Sequence, residues 1–172
     1  TTANACVYDT GRYAVPFAAS LGAILYQEDQ TASTNDTWIG AGSSRTVCNG
    51  QFTVPTDRIV RADLTLCCWA MRPTTVNWLG SGYVDWSIDG KLGATYRFVC
   101  YPQSTSCFTF SDYQRVKAGT HTATMRVWGS RMAPASGIWL DFGGTNNWPG
   151  QRLVLSDMGV DHTNPPASGG KF

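Results

Sequence analysis

From Ala62 onward the chain alternates, and this period of two constrains the fold more than any other feature. Ala62, Leu64, Leu66, Cys68 and Ala70 fall on one side; Asp63, Thr65, Cys67, Trp69 and Met71 fall on the other. Successive side chains of an extended strand point to opposite faces, so the first set belongs to a core and the second to an outer face. Two neighbouring cysteines on such a strand cannot easily chelate one ion together or bond to each other. Cys68 then serves as a small core residue. Cys67, Trp69 and Met71 give the outer face an apolar character that calls for cover, either by a neighbouring subunit or by a loop of the same chain.

The same logic extends along the chain. Short apolar runs separated by Gly, Pro, Asn and Asp recur, and helical periodicity is hard to find. Further strands are expected at 23–27, 83–88, 94–100, 107–113, 120–129, 136–142 and 151–159. In 83–88, Val84, Trp86 and Ile88 share one face. In 120–129, His121, Ala123, Met125 and Val127 point inward, while Arg126 and Trp128 point outward with the threonines. The polar loop "YPQSTS" between 94–100 and 107–113 looks like a hairpin, and Cys100 and Cys107 at its ends are placed for a cross-strand disulfide. Eighteen glycines and seven each of Trp, Tyr and Phe fit this reading, because aromatic residues suit a pleated surface and glycine suits tight turns. An all-β antiparallel sandwich of about eight to ten strands is the expected class. Three parts are expected: an N-terminal arm or first edge strand (1–20), the sandwich (21–159) and a Pro/Gly-rich tail (160–172).

Several function classes are disfavoured. Only 15% of residues are charged and the net charge is +1, so electrostatic gripping of nucleic acid is not expected. No run of eighteen apolar residues is present, so no membrane-spanning helix is expected. The six cysteines and two histidines fit no zinc spacing, and neither a metal nor a cofactor is expected. Free buried thiols are the simplest reading of the cysteines, with one or two disulfides the other. No phosphate loop, nucleotide fingerprint or nucleophile elbow occurs. His121 reads as a satisfied core histidine, and His162 sits in the tail. Asp85, Asp89, Asp141 and Asp157 lie where aspartate caps turns, although a calcium site near Asp141 and "GGTNN" is an alternative.

Binding is better supported than catalysis. Outward Trp69 and Trp128 with Arg126, and loop tryptophans such as Trp148, can stack on sugar rings or anchor a protein partner; core or loop-plug tryptophan is the other reading. Cys67, Trp69, Met71, Arg126, Trp128 and Trp148 are therefore the candidate interface or ligand residues.

Three segments together resemble known proteins. "NGQFTVPTDRIVRADLTLCCW" resembles the stretch of C1q/TNF-like jelly rolls in which a Gly-x-Phe-Thr-x-Pro edge leads into a long core strand. "KAGTHTATMRVWG" resembles their later Ala-Gly turn into a strand, and "QRLVLSDMG" their closing strand. The last two are also similar to domains in head-surface and tail proteins of tailed bacteriophages, particularly those of actinobacteria. The resemblance spans roughly residues 48–160. It departs from the C1q pattern at "TDRIV", where a Gly-Tyr step is usual. It implies a virion surface location and self-association, most simply as a homotrimer. It implies a capsid decoration (head fibre) protein, with residues 1–20 or the "NPPASGGKF" tail as the gripping arm; short length favours this role. A minor tail protein contacting host glycans is the alternative, and a secreted carbohydrate-binding module the rival from another class.

Overall fold

A computed structural model describes residues 22–30, 37–69, 80–100, 105–130, 137–140 and 150–161. The expected arm (1–20) and nearly all of the tail (160–172) lie outside these residues. Ten strands are present: β1 (Ile24–Gln30), β2 (Thr37–Gly40), β3 (Ser44–Val54), β4 (Arg58–Trp69), β5 (Gly80–Ile88), β6 (Lys91–Cys100), β7 (Ser106–Val116), β8 (Gly119–Gly129), β9 (Gly137–Leu140) and β10 (Gln151–Val160).

They form two antiparallel sheets. One has the order β3-β8-β5-β6. The other is organised by β4, which pairs with β10 and with β7. Cys68 pairs with Ser106 of β7 and with Leu140 of β9, so β7 and β9 flank β4 on opposite sides. The short pair β2–β9 extends this sheet, and β1 pairs with β10. Without that short pair, eight strands make the sheets β1-β10-β4-β7 and β3-β8-β5-β6. Every link between consecutive strands of the eight then passes from one sheet to the other, except β5–β6. That winding is a jelly roll.

The alternation of β4 holds. Val60, Ala62, Leu64, Leu66 and Cys68 are fully buried between the sheets, against Leu153 and Leu155 of β10 and Met125, Val127, Val84 and Trp86 of the opposite sheet. Trp86 also needs a partner for its indole N–H. Asp112 of β7 supplies one from the other sheet at 2.9 Å and accepts the Ala94 amide at 2.6 Å. Burial alone would raise the Asp112 pKa, but these two bonds together with one from the Tyr113 backbone amide outweigh it and hold the carboxyl below its ordinary value. Gly93 leaves room for the pair, since a Cβ there would meet both Trp86 and Asp112.

Two expectations about 94–113 fail together. β6 and β7 are not a hairpin: β6 pairs with β5, and β7 pairs with β4. The polar segment between them passes from sheet to sheet. The true hairpin is β5–β6, turned by Asp89 (φ 50°) and Gly90 (φ 78°). A tight hairpin of this twist needs positive φ at both central residues, which Asp-Gly provides.

Cys100 and Cys107 consequently end on different sheets and do not bond to each other. Cys107 lies directly opposite Cys67 on the neighbouring strand, with Cα atoms 4.2 Å apart, and bonds to it. Cys68, on the inner face, reaches across the sandwich to Cys100, Cα 6.5 Å away. The adjacent cysteines thus serve two different disulfides because the strand turns them to opposite faces. The reading of all six as free thiols is also corrected; Cys48 is the free cysteine among the described residues.

The Cys68–Cys100 bond closes a chain separation of 32 residues. Because Cys67–Cys107 already loops the unfolded chain, the remaining path between Cys68 and Cys100 is short, and loop-closure entropy predicts that Cys68→Ala with Cys100→Ala costs roughly 2–3 kcal/mol. Urea unfolding of the double variant and the native protein, both unreduced, measures the difference. Peptide mapping without reductant should recover 67–107 and 68–100 linkages.

Candidate functional site

The outward residues of the sheet β3-β8-β5-β6 form rows set by register. Ser44, Trp128, Tyr83 and Arg97 make one row, on β3, β8, β5 and β6 in turn. Thr46, Arg126, Asp85 and Thr95 make the next. Asp85 is the centre of this arrangement. Its side chain is only 7% exposed, although it points away from the core. Arg126 grips it with two bonds, Nε to Oδ1 at 3.2 Å and Nη2 to Oδ2 at 3.1 Å. The Trp128 indole N–H donates to Oδ2 at 2.7 Å. Arg126 also lies over the Trp128 ring, 4.2 Å from its centroid. A buried carboxylate demands such partners, and here they lock an arginine and a tryptophan into one geometry.

Beside this set lies a shallow, open concavity of about 470 Å³, lined by Gly42, Tyr83, Asp85, Thr95, Trp128, Gly129 and Ser130. The chain around 40–43 is strapped to the end of β8 and helps to wall it. Gly42 N–H donates to the Gly129 carbonyl at 2.9 Å, and Gly129 N–H donates to the Ser43 carbonyl at 3.0 Å. Gly129 permits the approach: a Cβ there would run into the backbone of Ile39 and Gly40.

Of the residues expected to bind, Arg126 and Trp128 are brought together here. Cys67 is not available, because it is fully buried and bonded to Cys107. Its outward position is covered from within the chain, so it offers no surface to a subunit. Trp69 closes β4 opposite Trp139. Its side chain, together with Met71 and Trp148, falls outside the described residues, as do Asp141 and His162. Tyr83, Thr95 and Ser130 escape the sequence reading, and Asp85 reads there as a turn residue. The signal was available for two of them. If Val84, Trp86 and Ile88 face the core, Tyr83 and Asp85 must face outward.

His121 is a structural residue. Its Nδ1 lies 2.6 Å from Asp89 Oδ2 and its Nε2 2.8 Å from the Lys117 carbonyl. Both partners are acceptors, so these bonds favour the protonated ring, which donates from both nitrogens. Burial of the ring works against that charge, but the two bonds outweigh it and raise the His121 pKa above its ordinary 6.5. The same bond, with the Thr122 amide, holds Asp89 below its ordinary 3.8. Among the described residues, no three His, Cys, Asp or Glu side chains gather as metal ligands.

No family profile matches the sequence, and no curated protein matches it. Solved structures of similar fold are viral and carbohydrate-associated. A structure of infectious bursal disease virus, Gt strain, aligns over 81% of this chain at 11% identity and a TM-score of 0.46. A carbohydrate-binding module from Cellvibrio mixtus lichenase 5A in complex with cellotriose aligns over 78% of this chain and 98% of its own, at 9% identity and 0.39. A family 35 carbohydrate-binding module from Clostridium thermocellum aligns over 77% and 98%, at 11% and 0.32. The chain spans only 38% of the bursal virus chain. Likenesses this distant carry no conclusion about function, and the jelly roll is assigned on strand order.

Raised in the fold, His121 contributes stability that is fully present below pH 6.5 and lost as pH rises through the folded value. Depressed, Asp89 contributes stability present above 3.8 and lost on acidification through its folded value. Urea midpoints taken between mildly acidic and mildly alkaline pH should fall for the native chain. His121→Asn should remove that slope, and a slope of equal size in the variant refutes the assignment.

Proposed function

We propose that this chain is a non-enzymatic binding protein displayed on the surface of a tailed-bacteriophage virion, and that it recognises host-surface saccharide at the Trp128 concavity. The observation that carries this reading is the preorganised set of Asp85, Arg126 and Trp128 at an open hollow edged by Tyr83, Thr95 and Ser130. Sugars present flat C–H faces and rings of hydroxyls, and they are met by aromatic surface beside fixed polar groups. Arg126 occupies one face of the indole and holds the ring still, which lowers the ordering cost of binding. Two disulfides are in keeping with a life outside a reducing cytosol. The virion setting rests on the segments 117–129 and 151–159, which are similar to domains of phage head-surface and tail proteins.

Trp128→Ala should lower affinity for a bound glycan at least tenfold, as expected for an aromatic anchor. Trp128→Phe, which keeps the ring surface and loses the bond to Asp85, should fall between. The probe is an array of bacterial-surface and other glycans, followed by calorimetry on any hit. A native chain that binds nothing on the array sinks the saccharide reading.

The capsid-decoration role is the second form of this proposal, with a cyclic trimer clamping capsid subunits through residues 1–20 or 164–172. It predicts that capsids carrying the protein melt at higher temperature than capsids stripped of it. Equal melting temperatures by scanning calorimetry remove that role and leave the tail or secreted settings for the same binding face.

A further inference from the structure

The face that carries the concavity continues away from it without charge. Below the Trp128 and Arg126 rows, β8 presents Thr124, Thr122 and Thr120, and β3 presents Asn49, Gln51 and Thr53 opposite them. Ser87 of β5 lies beside Thr124. Thr53 and Thr120 share a hydrogen bond of 2.9 Å between their hydroxyls, and the Thr124 hydroxyl donates to Asn49 Oδ1 at 3.2 Å. On β8 and β3 the ionised side chain in these rows is Arg126, paired with Asp85 of β5; the exposed Arg97 closes the Trp128 row on β6, two strands from β8. At the far end Asp89 is neutralised by His121. The opposite sheet differs. Its outer face carries Arg61 with Asp63, and Arg152 with Asp29.

We infer that the strip formed by β8 and β3 is an extension of the Trp128 site, and that together they take an uncharged polysaccharide chain lying along the strands. This deepens the saccharide reading above and rests on it. A hydroxyl and carboxamide surface both donates and accepts, which matches a polyol, and these rows of β8 and β3 bring no cation to pair with a phosphate or uronate. The one charged group lining the concavity is the Asp85 carboxylate; it is paired with Arg126, and its remaining lone pairs can accept from hydroxyls. From Thr120 to Trp128 the strip runs about 27 Å at the usual rise of a strand. That is long enough for several pyranose rings, and longer than the concavity needs. The threonines are short and Asn49 is bonded to Thr124, so their contact with a chain costs little side-chain entropy.

The test uses the full chain in affinity electrophoresis. Mannan, dextran and arabinogalactan serve as uncharged probes, and polygalacturonate and hyaluronate as acidic ones. Graded oligosaccharides of any polymer that retards the protein are then titrated by calorimetry. We expect retardation by at least one uncharged polymer and by neither acidic one, with affinity rising by tenfold or more from disaccharide to longer oligomers. Thr122→Glu, remote from Trp128, should abolish that gain and leave disaccharide affinity unchanged, which also reports that the variant is folded. If Thr122→Glu does not fold, Gln51→Lys on the exposed face of β3 decides in its place. Equal affinity for short and long oligomers, or a gain that survives both substitutions, overturns the strip while the Trp128 site stands. Preference for an acidic polymer overturns it as well. Failure of every polymer and oligosaccharide to bind removes the saccharide reading itself.

Discussion

The rest of the structure depends on β4 being held on both edges and on both faces. Its edges pair with β7 and β10. Its inner side chains fill the centre of the core, and its last cysteines tie it sideways to Cys107 and across the sandwich to Cys100. A strand so constrained has one register, because a shift by a single residue would turn Leu64 and Leu66 outward and bring Asp63 and Thr65 into the core. The two disulfides enforce the same register covalently. Cys67 can meet Cys107 only when that residue sits directly opposite, and Cys68 can meet Cys100 only when the inner face is inner. Packing and covalent chemistry therefore specify one alignment, the kind of agreement between levels that gives a sequence a single native state.

What could be read from the sequence divides along the range of the interactions. Alternation is local, so the core residues of β4, β5 and β8 were legible, as was the outward direction of Arg126 and Trp128. Strand pairing is not local. Two strands joined by a short polar loop with a cysteine at each end look like a hairpin, yet β6 and β7 belong to different sheets. Nothing within residues 94–113 encodes that they part. The information lies in Cys67 and Cys68, whose opposite directions require partners on two different layers. The same limit applied at the binding face. Asp85 looks like a turn residue one strand-length from a Gly, and only the register of β5 on β8 sets it against Arg126.

Asp85 shows how the fold converts a cost into order. A carboxylate this buried destabilises the chain unless its oxygens are bonded, and an apolar residue would have been easier to place. Three donors from two side chains meet that demand. In doing so they fix the indole and the guanidinium, which on a free surface would each sample several rotamers. Stability is spent on geometry at one position of an otherwise well-packed molecule, and such positions tend to be where a protein meets its ligand.

The sheet edges explain why the outer faces are the surfaces left for partners. Open strand edges invite pairing with other chains. Here side chains from the facing sheet fill them. Glu28 of β1 accepts the Asn49 amide of β3 at 2.7 Å. Asp112 of β7 takes the Ala94 amide in the bulged stretch of β6, and Gln114 donates to the Lys91 carbonyl at 3.2 Å. Carboxylates and a carboxamide do the work that further strands would do in a closed barrel, without drawing on the two wide faces. One of those faces is laced by its own ion pairs, which satisfy each other and hold water. The other is lined along β8 and β3 with threonine, asparagine and glutamine beside the Arg126–Asp85 pair, with Arg97 standing apart on β6. A surface of that kind stays soluble through hydroxyls rather than charge, and so it sheds its water to another hydroxyl-bearing surface at lower cost than an ionic face would.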